Sequence, residues 1–574
     1  MTDVRRRVRV AAVQFNSRLG DVGYNVAGLL ALCEQGAAAG CQLLVLPEMA
    51  TTGYCLGSRE ALQPYVETVP GPTTERFAEL AARHGCYVVV GLPEVEPVTG
   101  LYYNTVALVG PAGVAGVMRK VHPDVWDSYR LSAGNLGFPV WDTPLGRIGI
   151  QICMDACYPE SSRLAALQGV DFLCLPTAWF GEAAPAGDWF TRAYENGAYL
   201  LAADRWGTES GIVFSGGSAV IGPEGEVLAC LPTGDGLAMA DLELPRPEAG
   251  GRLAQRRPEH YQELVQSRLA WSYRFARQPG TPGHQPEGAA FRAAAVQSGI
   301  EAESVEAARQ QAEQQVRLAA ARGARLVVLP ELSFEARPES AGVQAEPIPG
   351  PSTDWAKALC AELDLHLVFG LAERAEGRTF NAAVLAGPRG VAAVYRKLHL
   401  SAHDQSWATP GEGGWVVTET RLGCVGLMTG QDALLPESAR CLALRDADVI
   451  CAPSAVGGPL PVRLAPPLGQ MEAPDWHLWR VRASENNTYV IFANRTDLGC
   501  MGASGIFGPD AYRRPRREML LNGSEAGLLV LDIDTRDYLD AQTPNPARTK
   551  DRLRMRNVAL CAPLVLPRET EVTP

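Results

Sequence analysis

No apolar run in this chain approaches the ~20 residues that a membrane-crossing helix needs, so no membrane span is expected. Positive charge is also in short supply: 52 Lys and Arg stand against 64 Asp and Glu, a formal net charge of −12. A surface of that sign argues against broad binding to nucleic acid and for a soluble, self-repelling protein. Histidine is scarce, with 8 in 574 residues, and the 14 cysteines are scattered. Cys153-x-x-x-Cys157 has no matching second ligand pair, so no metal site is expected. Cys33, Cys41, Cys86, Cys174 and Cys451 sit in apolar strand or helix patterns and read as small buried hydrophobes in a reducing cytoplasm. The stretch MTDVRRRVRVAAVQF is basic, but its apolar part is short and alternating, so no signal peptide is read.

What the chain does have is a repeat. RIGIQICMDACYPESSR (147–163) aligns without a gap on the run ending CVGLMTGQDALLPESAR (424–440), and Cys153 falls on Gly430. AAVQF (11–15) matches AAAVQS (293–298), LLVLPEMA (43–50) matches LVVLPELS (326–333), and MRKVH (118–122) matches YRKLH (395–399). Gln14 and Glu48 thus fall on Gln297 and Glu331, a shift of 283 positions (297 − 14, 331 − 48). Lys120 and Pro159 fall on Lys397 and Pro436, a shift of 277 (397 − 120, 436 − 159). Four separated motifs at a near-constant offset indicate internal duplication. A chain of this length is expected to hold two or more domains. The Pro- and Gly-rich stretch 278–290 is the expected linker, dividing a domain over 1–277 from one over 291–574.

Short apolar runs alternate with amphipathic stretches. VRVAAVQF, CQLLVLPE and CYVVVGLPE read as strands, and 24–40 and 73–84 as helices; the same order recurs in the second half. Continuous apolar strands separated by helices indicate an α/β protein with strands covered on both faces. YNTVALVGPAGVAGVMRK reads as two strands joined by a turn, so the sheets should be mixed. Residues 256–278 read as a closing helix, and RRPRRE (513–518) as a solvated hairpin tip.

A cysteine after a strand is ordinarily core. Cys153, however, follows the strand IGIQI where Met154 and Asp155 must turn, a setting that can present a thiol beside backbone N–H groups. Such a nucleophile needs a base and an oxyanion partner. Glu48 and Lys120 stand at the ends of two other strands, and chemistry in α/β folds gathers at strand carboxyl ends. His122 offers an alternative base, but His399 matches it in the copy without the cysteine, so a structural role is expected.

The LPE, RKxH and ICMD…PE blocks, in this order and twice over, resemble the nitrilase, or carbon–nitrogen hydrolase, superfamily. The resemblance implies an α-β-β-α sandwich in each half and a pseudo-dimer within one chain, with further homo-oligomerisation open. It implies Cys153 as nucleophile, Glu48 as general base, Lys120 as oxyanion cation and the Met154 N–H as oxyanion donor, with no cofactor. A further family glutamate, placed by its spacing from Gly134, would correspond to Asp127, and Asp404 matches it before Gly411. The implied reaction is cleavage of a linear amide or N-carbamoyl compound through a thioester, releasing ammonia or an amine. Acyl transfer to an amine, or a non-catalytic scaffold, are the alternatives; Met154-Asp155 in place of Trp-Glu disfavours nitriles. Tyr54, Trp126, Trp179, Phe180, Trp189 and Arg192 are candidate pocket residues, Arg192 for a substrate carboxylate. The second half, lacking a thiol at 430, is expected to be a structural partner.

Overall fold

The computed structural model describes residues 6–124, 126–244, 251–266, 286–299, 302–334, 344–458, 462–463, 476–497, 499–509, 517–521, 523, 525–536 and 558–566. The described residues fall into two compact units. Unit 1 draws on Met1–Ala254, Ala465–Trp476 and Met555–Leu564, and unit 2 on Gln255–Leu464, His477–Arg554 and Val565–Pro574.

Unit 1 is built on two six-stranded sheets. In the first, strand Arg6–Gln14 pairs antiparallel with Gly236–Leu244 and parallel with Leu43–Val45. Tyr87–Val95 continues the parallel part, and Tyr102–Gly110 and Gly113–Arg119 close the sheet antiparallel. In the second, Gly146–Ile150, Phe172–Thr177 and Tyr199–Asp204 run parallel at the centre, flanked by antiparallel strands. Both sheets are mixed, as the sequence implies. Helices Val22–Ala38 and Pro72–His84 cover the outer face of the first sheet, where Leu29, Cys33, Phe77 and Leu80 pack on Ala11, Val13, Leu44 and Val88. Helices Pro159–Leu167 and Gly187–Asn196 belong with the second sheet. The inner faces pack on each other, strands Arg6–Gln14, Leu43–Val45 and Tyr87–Val95 meeting Phe172–Thr177 and Tyr199–Asp204. This is the α-β-β-α layering.

Unit 2 repeats the plan. One sheet carries Ala290–Gln297, Ala324–Val328, His366–Ala375, Arg378–Gly387, Gly390–Arg396 and Gly527–Asp534; the other is centred on parallel strands Gly423–Leu427, Val449–Ser454 and Tyr489–Asn494.

Two readings change. Leu43–Val45 is a strand of three residues, and Glu48 lies in the turn beyond it rather than at its last position. Within 256–278, the described residues form not an α-helix but two 3-10 turns, Pro258–His260 and Gln262–Val265. Pro258 starts the first of them and cannot continue a helix from the residues before it. These residues group with unit 2: Arg256 pairs with Glu437 at 2.7 Å, and the Tyr261 hydroxyl meets His399 Nε2 at 2.8 Å. Residues 267–285 of the expected closing helix and linker, and 513–516 of the basic run, lie outside the described residues.

Candidate active site

In unit 1 the sheet ends deliver four polar side chains to one buried point. The turn after Leu43–Val45 brings Glu48, strand Tyr102–Gly110 brings Asn104, the end of Gly113–Arg119 brings Lys120, and the 3-10 turn Asp127–Tyr129 brings Asp127. Lys120 Nζ lies 2.6 Å from Glu48 Oε1 and 2.7 Å from Asp127 Oδ2, and all three side chains are shut off from water. Asn104 Nδ2 donates to Glu48 Oε1 at 2.7 Å and reaches Asp127 Oδ2 at 3.3 Å. Arg130 holds the other Asp127 oxygen at 3.1 Å, and the Asp124 carboxylate accepts the Asp127 N–H at 2.7 Å. The second sheet closes the site: Ala178 N–H donates to Glu48 Oε2 at 3.0 Å.

Burial sets the electrostatics. Desolvation raises the Glu48 carboxyl above its ordinary range; Lys120 pulls it back in part, and Asp127 pushes it up again. Burial works against the Lys120 ammonium, but Asp127 and Glu48 overcome it and hold its pKa well above the usual lysine value. Asp127 is also opposed by burial, yet Lys120 and Arg130 together keep it below the usual aspartate value. The result is a lysine locked in its charged form between two carboxyls of different proton affinity.

Cys153 opens the 3-10 turn Cys153–Cys157 directly after the end of strand Gly146–Ile150 and residues 151–152. Its φ is +45°, the left-handed region that costs a side chain of L configuration roughly 1–3 kcal/mol. Asp155 secures that turn. Its carboxylate accepts from Ile152 N at 3.1 Å and from His122 N at 2.9 Å, and it meets His122 Nδ1 at 2.7 Å. His122 stacks on Tyr158 with ring centroids 3.7 Å apart. Thus Asp155 and His122 brace the turn from behind. Burial pushes the thiol well above the ordinary cysteine pKa and Glu48 adds to that, while Lys120, the Thr177 hydroxyl and the Ala178 N–H favour the thiolate. Met154 follows in the same turn.

The remaining expected residues separate. Tyr54 is buried, its ring 5.8 Å from Lys120 Nζ, and its hydroxyl donates to Asp124. Trp179 follows Ala178; its N–H donates to Asp204 Oδ1 at 2.8 Å, and its ring meets Trp189 edge-on at 5.7 Å. Phe180 packs edge-on against Phe214 in the apolar cluster with Met49, Tyr54 and Tyr102. Trp126, adjacent to Asp127, is 52% exposed. Arg192 is fully buried, and its Nε lies 3.1 Å from Glu195 Oε1 one turn along the same helix. A carboxylate of the chain itself therefore occupies the partner position expected of a substrate. Asn104, Arg130, Thr177 and Asp204 were not singled out from sequence. Strand register brings Asn104, Thr177 and Asp204 to the site, as Thr177 opposite Asp204 shows, and Arg130 arrives at the end of the 3-10 turn that carries Asp127.

Unit 2 keeps the polar quartet. Lys397 Nζ lies 2.7 Å from Glu331 Oε1 and 2.7 Å from Asp404 Oδ2, and Asn381 Nδ2 meets the two carboxyls at 2.5 and 2.9 Å. His399 and Asp432 repeat the His122–Asp155 pair at 2.8 Å. At Gly430, the position matching Cys153, the space for a side chain is filled: a Cβ there would lie 2.5 Å from Ser454 Oγ and 2.5 Å from Val456 Cγ2.

The carbon–nitrogen hydrolase family model matches the chain twice, over residues 9–249 and 292–521. A nitrilase of Pyrococcus abyssi is 34% identical over 262 residues, spanning 44% of this chain and 99% of that protein. The N-carbamoylputrescine amidase of Solanum lycopersicum is 31% identical over 296 residues, spanning 46% and 97%. Among solved structures, an amidase from Nesterenkonia sp. is 28% identical, covering 44% of this chain and 95% of its own, with a TM-score of 0.39.

Proposed function

This chain belongs to the carbon–nitrogen hydrolase family, and from that premise we propose that unit 1 is an amidase working through a Cys153 thioester. The observation that carries the reading is the buried Glu48–Lys120–Asp127 cluster beside a cysteine at positive φ. Glu48, with proton affinity raised by burial, takes the thiol proton as sulfur attacks the amide carbon. A standing thiolate is disfavoured at this depth, so proton transfer accompanies attack. Lys120, held cationic, and the Met154 N–H face the developing oxyanion. The C–N bond breaks as Glu48 returns its proton to the leaving nitrogen, giving ammonia or an amine. Glu48 then takes a proton from water, which attacks the thioester; carboxylic acid leaves and the thiol is restored.

The aromatic residues Tyr54, Trp126 and Trp179 are the proposed lining for the substrate body. N-carbamoyl compounds and simple linear amides are the proposed substrate classes, in keeping with the relatives' names. The site residues come from unit 1 alone, and the proposed domain division is 1–277, 278–290 and 291–574. The test is an ammonia-release screen across amides, N-carbamoyl amines and nitriles, with Cys153→Ala as control. Turnover lost in that variant, with an acyl adduct on Cys153 trapped from the native enzyme, is expected. Substantial hydrolysis by Cys153→Ala would overturn the mechanism. Product made by adding hydroxylamine would show how far the thioester passes its acyl group to an amine.

A further inference from the structure

Asp204 is a carboxyl group placed where its internal duplicate has an amide. It ends strand Tyr199–Asp204, opposite Thr177, just as Asn494 ends Tyr489–Asn494 opposite Ser454. The surroundings correspond atom by atom. Asp204 N donates to Ser218 Oγ at 2.8 Å, and Asn494 N to Ser504 Oγ at 2.9 Å. Asp204 Oδ1 accepts from Trp179 N at 2.8 Å, and Asn494 Oδ1 from Val456 N at 2.8 Å. The difference is the second atom. Asn494 Nδ2 donates to the carbonyls of Val456, at 3.1 Å, and Gly502, at 2.9 Å. The corresponding atom, Asp204 Oδ2, is fully buried and accepts no hydrogen bond.

The backbone carbonyls equivalent to those two are Trp179 O and Gly216 O. The correspondence is fixed by the bonds Ser215 N to Trp179 O and Gly216 N to Arg205 O, which match Met501 N to Val456 O and Gly502 N to Arg495 O. Carbonyl oxygens can only accept, so a bare carboxylate oxygen set among them would meet lone pairs with no proton to share. We propose that Asp204 is a neutral carboxylic acid in the folded protein, its Oδ2–H donating to the backbone as Asn494 Nδ2 does, and that it acts as a positioning residue for the Ala178–Trp179 segment of the active site. Trp179 N–H is held by Asp204, and the preceding Ala178 N–H donates to Glu48 Oε2 at 3.0 Å. The acid thereby fixes the backbone that aims Glu48.

The groups around it agree with a neutral form. Burial opposes ionisation most strongly and the Glu48 charge, approaching from the first sheet, adds to it; the N–H groups of Trp179 and Arg205 and the Arg205 charge favour the carboxylate, and burial outweighs them. Cys174 on the adjacent strand is neutral, its pKa raised by burial. On the helix packed against this strand, Arg192 pairs with Glu195. Strand Arg6–Gln14 carries Arg7 and Arg9, which pair with Glu243 and Asp241. Arg205, next in the chain, gives its guanidinium to Glu209 at 2.7 Å and to Asn16 and Ser17.

The sign of the pH effect follows. A group whose folded-state pKa is raised contributes stability that is fully present below its unfolded pKa and is lost as pH rises through its folded pKa. Asp204→Asn removes that loss and keeps the donor. In the full-length chain, the melting temperature of Asp204→Asn should exceed that of the native protein by about 3–6 °C at pH 8, and the gap should vanish towards pH 4. Difference infrared spectra at neutral pH, native minus Asp204→Asn, should show the C=O stretch of one protonated carboxylic acid. Asp204→Ala, which lacks both atoms, should melt below both. If Asp204→Asn melts lower than the native protein at pH 8, or if only carboxylate bands differ, the proposal fails. Neither readout depends on hydrolysis, so it can fail while the amidase reading stands.

Discussion

Glu48 and Asp127 grip the same ammonium, yet their proton affinities move in opposite directions. Asp127 has a second cation in Arg130 and stays ionised, whereas Glu48 has only Lys120 and is raised by burial. In the proposed mechanism the two carboxyls divide the work: Asp127 fixes the charge of Lys120, and Glu48 exchanges protons. Asp127→Asn should lower kcat/KM by about 10²-fold, the scale of a positioned charged group. It should also move the acid limb of the profile to lower pH, because Asp127 is one of the groups that raises Glu48. A residue without contact with the site would change neither, so an unaltered profile would refute the assignment. Glu48, Lys120 and Cys153 could be singled out as candidates because each stands in a repeated motif, and Asp127 through the family spacing from Gly134. Asn104 and Arg130 could not, since nothing in their local sequence distinguishes an inward polar residue from a surface one. Asp155 was read as a mark of substrate class. The structure shows it bracing the turn through His122 and Ile152 N.

At the scale of elements, the turn that carries Glu48 depends on a glycine in the neighbouring strand. A Cβ at Gly91 would lie 2.6 Å from Pro47 O and 2.9 Å from Met49 N, both backbone atoms, so the turn would have to move. Met49 itself has φ of +49°, and Leu332 repeats this at +53° beside Gly370. Gly370 has the same constraint, its Cβ falling 2.6 Å from Glu331 Cα. Gly91→Ala should therefore cost about 1–3 kcal/mol of stability and reduce turnover per folded molecule. Gly370→Ala should show a similar loss of melting temperature with turnover per folded molecule kept, measured by active-site titration. Equal loss of turnover in both would show that the effect is not a displacement of Glu48. The order of strands and helices was legible because apolar periodicity reports burial. Two features were not. The three-residue strand Leu43–Val45 gives way to a turn within an apolar run. The 3-10 turns after Pro258 hide in a pattern that also fits a helix.

Across the whole molecule, duplication allows one copy to be read against the other. Both keep the buried lysine between two carboxyls, although unit 2 has Gly430 where unit 1 has Cys153. Burying such a cluster is not by itself a source of stability, but removing one member from it would strand the others without water. That gives unit 2 a physical reason to hold Glu331, Lys397 and Asp404 together without chemistry. The change at Gly430 is also not a single missing atom. Where unit 1 has Thr177 and Trp179, unit 2 has Ser454 and Val456, and these close over the space a side chain at 430 would need. Gly430→Cys in a Cys153→Ala background should therefore release no ammonia from any substrate of the native enzyme. It should also lower stability by about 1–3 kcal/mol through overpacking, read as a lower melting temperature. Mass spectrometry after incubation with substrate should find no acyl group at position 430. An acyl adduct there, or restored turnover, would mean that unit 2 retains a working pocket and lost only its nucleophile.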